Sequence, residues 1–98
     1  MNRDTALECL KRAEPALRAR GVMHAALFGS VARDEAKPNS DIDILVDLNP
    51  EVVRTIYDYA GVKAYIGDLF SEPVDVVDRQ ALKSHVRPSA TADAVYAF

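Results

Sequence analysis

Five residues of this chain have types and spacings suited to phosphate chemistry. They are Gly29 and Ser30, then Asp41 and Asp43 after a spacer of ten residues, and Asp75 about thirty positions further on. Carboxylates at i and i+2 of an extended strand project from the same face, close enough to share a pair of magnesium ions roughly 3.5–4 Å apart. Magnesium prefers hard oxygen ligands, which aspartate supplies. A third carboxylate on the acceptor side could hold one of those metals and help take the proton from an attacking hydroxyl. A glycine at position 29 lets backbone amides approach a triphosphate closely, and a helix beginning just after it points partial positive charge the same way. Ser30 adds a hydroxyl for a phosphate oxygen.

Each part has a plainer reading that must be weighed. An Asp-x-Asp pair alone is a common surface feature of strand ends and turns. Joined to Gly-Ser at the required distance, to flanking apolar strands and to Asp75, the combination becomes specific. Asp47 and Asp78 compete with Asp75 for the third position. Alternation favours Asp75, which lies between Val74 and Val76 inside an apolar run, whereas the other two read as solvated residues at strand ends. Arg33 has two readings of equal weight: a guanidinium for a phosphate oxygen, or an exposed arginine after a short helix. His24 lacks partners at metal-binding spacing and reads as a packed or partly exposed side chain, and His85 as a surface residue.

Strands must carry these aspartates. Ile42, Ile44 and Val46 alternate with Asp41, Asp43 and Leu45, so a strand over 41–47 puts both carboxylates on one face. The run VMHAALF over 22–28, set between glycines, predicts a strand buried on both faces. Residues 73–77 predict a third strand. Asp4 is placed to cap a helix whose apolar stripe runs through Leu7, Leu10, Ala13 and Leu17, with a kink or restart near Glu14 forced by Pro15 and a stop at Gly21. A helical turn follows over 30–33, then a polar loop over 34–39. Asn49 and Pro50 predict the cap and first residue of a helical region reaching about Phe70, broken near Gly61. Beyond Gln80 the chain reads as helical again, divided at Pro88, with a last segment near 91–98. Tyr57, Tyr59, Tyr65, Phe70, Tyr96 and Phe98 stand at helical spacing and read mainly as core; the terminal segment, including Tyr96 and Phe98, stays ordered only if it docks on its own domain or a partner. The fold these elements predict is an α/β domain with a small mixed β-sheet, helices packed mainly on one face, and an acidic site at one sheet edge.

Ninety-eight residues fit one domain over 1–98 and leave no room for a second, substrate-reading domain. The composition, 49% hydrophobic and 28% charged, is that of a globular chain. A net charge of −3 and a pI near 5.2 supply no cationic field for a nucleic-acid backbone, which excludes general nucleic-acid binding. The single cysteine, Cys9, cannot close an internal disulfide and reads as a small buried hydrophobe, which fits a reducing cytoplasm. No apolar run approaches the length of about 18 residues that spans a bilayer.

At Gly29-Ser30 and Asp41-x-Asp43 the chain resembles the nucleotidyltransferase superfamily, whose fold resembles that of DNA polymerase beta. The run GSVARDEAKPNSDIDILVDL, with VDVVD downstream and an AVYAF tail, is similar to the minimal nucleotidyltransferase (MNT) antitoxins encoded with HEPN-domain toxins. The resemblance covers nearly the whole chain. It implies nucleotide contact at Gly29 and Ser30, with Arg33 a further candidate, and binding of two Mg2+ ions by Asp41, Asp43 and Asp75. It implies transfer of AMP from ATP to a tyrosine hydroxyl of the partner toxin, silencing its ribonuclease activity. Asp34 departs from the glycine that relatives often carry there. A different class of function, an antitoxin that only covers its toxin, is the alternative, and a small-molecule hydroxyl as acceptor is a third.

Overall fold

A computed structural model of the chain describes residues 2–33, 41–81 and 94–98. The first helix, α1 (Arg3–Arg12), is capped by Asn2 rather than by Asp4: the Asn2 side chain accepts from the Thr5 N–H at 2.8 Å, and Asp4 sits in the first turn, where its charge suits the helix dipole. The chain restarts at Glu14 as α2 (Glu14–Ala19), with Pro15 in the first turn, where a missing N–H costs nothing. Leu10, Ala13 and Leu17 are buried with Ala6, and Leu7 packs against them, so the predicted stripe is the core face. Gly21, at φ +98°, turns the chain into β1 (Val22–Phe28).

The sheet has four strands in the order β3-β2-β1-β4. β2 (Ile42–Leu48) pairs antiparallel with β1 on one side and parallel with β3 (Val74–Asp78) on the other. The two-residue β4 (Val95–Tyr96) pairs antiparallel with β1. Ile42, Ile44, Val46 and Val76 join Ala25 and Leu27 in one core with α1, α2 and α4 (Ile56–Asp68). β1 is buried on both faces only in its second half, because Met23 and His24 are exposed near a register shift between Val22 and His24.

Three expectations are corrected. Asn49 and Pro50 start a turn, not a helix: the Asn49 side chain accepts from Glu51 N–H at 2.9 Å, and its carbonyl accepts from Val52 and Val53. The helix begins at Ile56, where Thr55 and Asp58 form a reciprocal capping box, and it runs unbroken through Gly61. Near the C-terminus, 95–96 is a strand and 79–81 a single 3-10 turn, so neither is α-helix. The aromatic residues divide: Phe70 is buried, Tyr65 and Phe98 pack against the core, and Tyr57 and Tyr96 are exposed. Cys9 is half-buried, its thiol donating to the Leu69 carbonyl at 3.3 Å. The predicted loop over 34–39, His85 and the Pro88 break lie outside the described residues. Among the described residues no helix is long and apolar enough to cross a membrane.

Thr55→Ala removes the acceptor for the Asp58 N–H and half of the box. It is expected to lower unfolding free energy by about 1 kcal/mol in a urea titration, with an unchanged denaturant slope.

Candidate functional site

The site is built where β1 ends. Phe28 lies opposite Asp43 across the antiparallel pair, and the next residue, Gly29, opens α3 (Gly29–Ala32) at φ +71°. Left-handed backbone of this kind disfavours any residue with a Cβ. A Cβ at Gly29 would also run into the Asp43 carboxylate. The glycine is therefore required by its neighbour on β2 as well as by its own dihedral angles. Val31 and Ala32 are buried and anchor the short helix, and Ser30 is half-buried in its first turn. Phe28 gives the first-turn amides no side-chain cap. Arg33 follows, exposed, its N–H donating to the Gly29 carbonyl at 3.2 Å.

Asp43 stands directly opposite Asp75 in the parallel ladder of β2 and β3, on strands about 4.8 Å apart. Asp41 precedes β2 by one residue and is exposed, as is Asp75. The Asp43 carboxyl is pushed above its ordinary value, first by burial and then by the charges of Asp75 and Asp41; the Arg33 guanidinium acts in the opposite direction. The structure thus gathers Gly29, Asp43 and Asp75 and puts Asp41 and Arg33 within electrostatic reach. Among the described residues no three His, Cys, Asp or Glu side chains converge closely enough to enclose a metal ion. Carboxylates carrying like charge gain nothing by closing on one another without a cation. The donor set nonetheless fits magnesium: all its ligating atoms are carboxylate oxygens, and at Asp43 the accumulated negative charge disfavours the ionised form, a condition that a divalent cation relieves.

The rivals for the third position fall elsewhere. Asp78 ends β3 and accepts from the Gln80 N–H at 3.0 Å. Asp47, expected to be solvated, is 7% exposed and accepts from Arg79 Nε at 2.6 Å. No local signal in the sequence marks Arg79 as its partner. Arg79 stands four residues after Asp75, as Asp47 stands four after Asp43, a matching offset that means something only once β2 and β3 are known to run parallel. His24 is exposed and meets Tyr96 edge-on with ring centres 6.3 Å apart, so it has no part in the acidic site.

Comparison with known proteins follows the same residues. The model of the nucleotidyltransferase domain family matches residues 5–97. The chain belongs to this family. It is similar to protein adenylyltransferase MntA of Thermococcus cleftensis, 37% identical over 76 residues, which cover 78% of this chain and 75% of the relative. Among solved structures it is similar to a presumed minimal nucleotidyltransferase, at 33% identity and a TM-score of 0.78, with 97% of this chain and 95% of that one covered. A toxin-antitoxin crystallised with AMP-PNP shares the fold at 19% identity and a TM-score of 0.62, covering all of this chain and 73% of that one. The expected small mixed sheet of the nucleotidyltransferase fold is the one observed, and the chain is a nucleotidyltransferase.

Two variants test the local geometry. Gly29→Ala is expected to cost at least about 1 kcal/mol, because alanine meets both a left-handed backbone and the Asp43 carboxylate, and chemical denaturation measures it. For Asp43, an acid whose folded value is raised destabilises the fold once ionised. That penalty is absent below its unfolded value, near 3.8, and fully present above the raised folded value. Asp43→Asn is therefore expected to raise Tm at neutral pH in metal-free buffer, by an amount that shrinks as pH falls toward 3.8. Melting curves across that range check it, and a constant difference would refute the cause.

Proposed function

We propose that this chain transfers AMP from ATP to a hydroxyl of a partner protein, and that it does so as the antitoxin of a toxin-antitoxin pair. The acceptor in this reading is a tyrosine of a HEPN-domain ribonuclease toxin, which the modification silences, and residues 1–98 act as a single minimal domain. The observation that carries it is the pairing of Asp43 with Asp75 on one sheet face, beside a left-handed Gly29 that leaves room for the Asp43 carboxylate. Support comes from the relatives: protein adenylyltransferase MntA at 37% identity, and toxin-antitoxin structures of the same fold, one of them with an ATP analogue.

In this mechanism Gly29 and Ser30 bind the phosphate tail through backbone amides and the Ser30 hydroxyl, and Arg33 adds a cation at the edge. Asp41, Asp43 and Asp75 are the residues that would hold two magnesium ions. Bound there, the ions neutralise the triphosphate and lower the cost of ionising the acceptor hydroxyl. Asp75, exposed on the edge strand, lies on the side open to an acceptor and takes the proton of its hydroxyl. The acceptor oxygen bonds to the α-phosphorus as the bond from that phosphorus to the bridging oxygen breaks, and pyrophosphate leaves with that bonding pair. Orientation by two carboxylates fixed on paired strands, with Asp41 one residue before β2, supplies much of the rate.

The intact mass of the protein encoded by the neighbouring gene, measured after incubation with this chain, ATP and magnesium, tests the proposal. Increments of one AMP are expected. They should fall at least about a hundredfold in rate with Asp41→Asn, Asp43→Asn, because charge stabilisation of several kcal/mol is lost. An unchanged mass within a tight complex would overturn catalysis and leave an antitoxin that acts by covering its toxin.

A further inference from the structure

β2 and the chain leaving β3 carry two charge pairs at the same offset. Asp43 stands opposite Asp75, and the ladder continues through Val46 opposite Asp78, so the next step brings position 47 beside position 79. There Arg79 Nε donates to Asp47 Oδ1 at 2.6 Å, with the Asp47 side chain only 9% exposed. The two pairs lie about 13 Å apart at 3.3 Å per residue. The lower pair repels. The upper pair attracts.

We propose that the Asp47–Arg79 ion pair is a register lock that keeps Asp75 opposite Asp43, which makes Asp47 and Arg79 positioning residues for nucleotidyl transfer. The mechanistic part of this inference rests on the function proposed above.

β3 needs such a device. It is a five-residue edge strand with one strand neighbour, and its valines at 74, 76 and 77 specify register weakly, since Val77 has the opposite parity to the other two. A slip of one residue would turn Asp75 toward the helix-covered face. A slip of two would keep it on its own face but set it against Asp41 or Leu45. Either slip separates Arg79 from Asp47 and leaves a buried carboxylate without its counter-charge, a large penalty. The repulsion between Asp43 and Asp75 favours those slips that leave Asp75 with no carboxylate opposite it, and the attraction above them opposes it. A second contact acts in the same sense: the Tyr59 hydroxyl of α4 donates to the Val76 carbonyl at 3.3 Å, on the free edge of β3.

The test uses the full chain with Asp47→Asn, Arg79→Gln and the milder Arg79→Lys. Cross-strand amide NOEs between β2 and β3 read the register directly, without reference to activity. The expected result is loss or doubling of the contacts around Asp43 and Asp75 in the first two variants, with the rest of the spectrum retained and Arg79→Lys close to wild type. AMP transfer should lose kcat by at least about a hundredfold, the cost of a displacement of only about 1 Å, with KM for ATP little changed. Native NOEs with native kcat in Asp47→Asn and Arg79→Gln would overturn the lock, and so would native NOEs with a raised KM alone. If Asp47→Asn and Arg79→Gln fail to fold, the double variant Asp47→Leu, Arg79→Met, which leaves neither charge buried and unpaired, decides by the same NOEs: shifted or doubled contacts support the lock, and an unperturbed register overturns it. Should the wild type transfer no AMP, the function proposed above fails while the NOEs still judge the register.

Discussion

Two carboxylates held side by side on one face of a sheet are the constraint on which the rest of this molecule depends. Burial makes Asp43 costly to ionise, and the charge of Asp75 opposite it adds to that cost. Nothing in that pair favours its own geometry. The hydrophobic side of the same strands has to supply the restraint: Ile42, Ile44, Val46 and Val76 are buried against α1, α2 and α4, so each acidic position is fixed by apolar neighbours one residue away on the opposite face. The order of the elements follows from this. A parallel partner for β2 requires a crossover, and α4, set between β2 and β3, is that crossover and covers the core at the same time.

Gly29 shows how closely the phosphate side is tied to the carboxylate side. Its lack of a side chain is usually explained by room for a ligand, yet here the first atom in the way is an oxygen of Asp43. The turn from β1 into α3 and the strand that carries the aspartates are packed to contact, so neither moves without the other. A site assembled from strand ends and a four-residue helix holds its geometry only through such contacts, since a helix this short contributes little stability of its own.

The sequence made this arrangement legible wherever periodicity and chemistry agreed. Residues 42, 44 and 46 announced a strand and its buried face, and Pro15 announced the restart between α1 and α2. Legibility failed where local signals compete. Asn49-Pro50 satisfies the rule for a helix start and also the rule for a turn, and the capping box at Thr55 and Asp58 won because both of its hydrogen bonds can form there. Residues 95–96 lie in a segment that reads as helical from the sequence but are claimed by the open edge of β1, a tertiary effect that periodicity cannot register. Asp47 reads as solvated from the sequence because its partner, Arg79, is 32 residues away and is brought to it only by the parallel register.

The charge of the site bears on what can enter it. The chain is acidic overall, and the face carrying Asp41, Asp43 and Asp75 has Arg33 as the cation acting on Asp43 among the described residues. A bare triphosphate approaching this face would meet like charge, and at about 4 Å even an effective dielectric near 20 leaves repulsion of about 4 kcal/mol per pair. A nucleotide accompanied by a divalent cation meets the reverse field, because each carboxylate that repels phosphate attracts the cation. In the function proposed above, the same clustering that makes Asp43 costly to ionise would favour a nucleotide carrying a divalent cation over the free one, and the aspartates sit on a short edge strand and its neighbour. There the repulsion is borne by a part of the sheet that the core and a distant ion pair can restrain, away from the helices that hold the domain together.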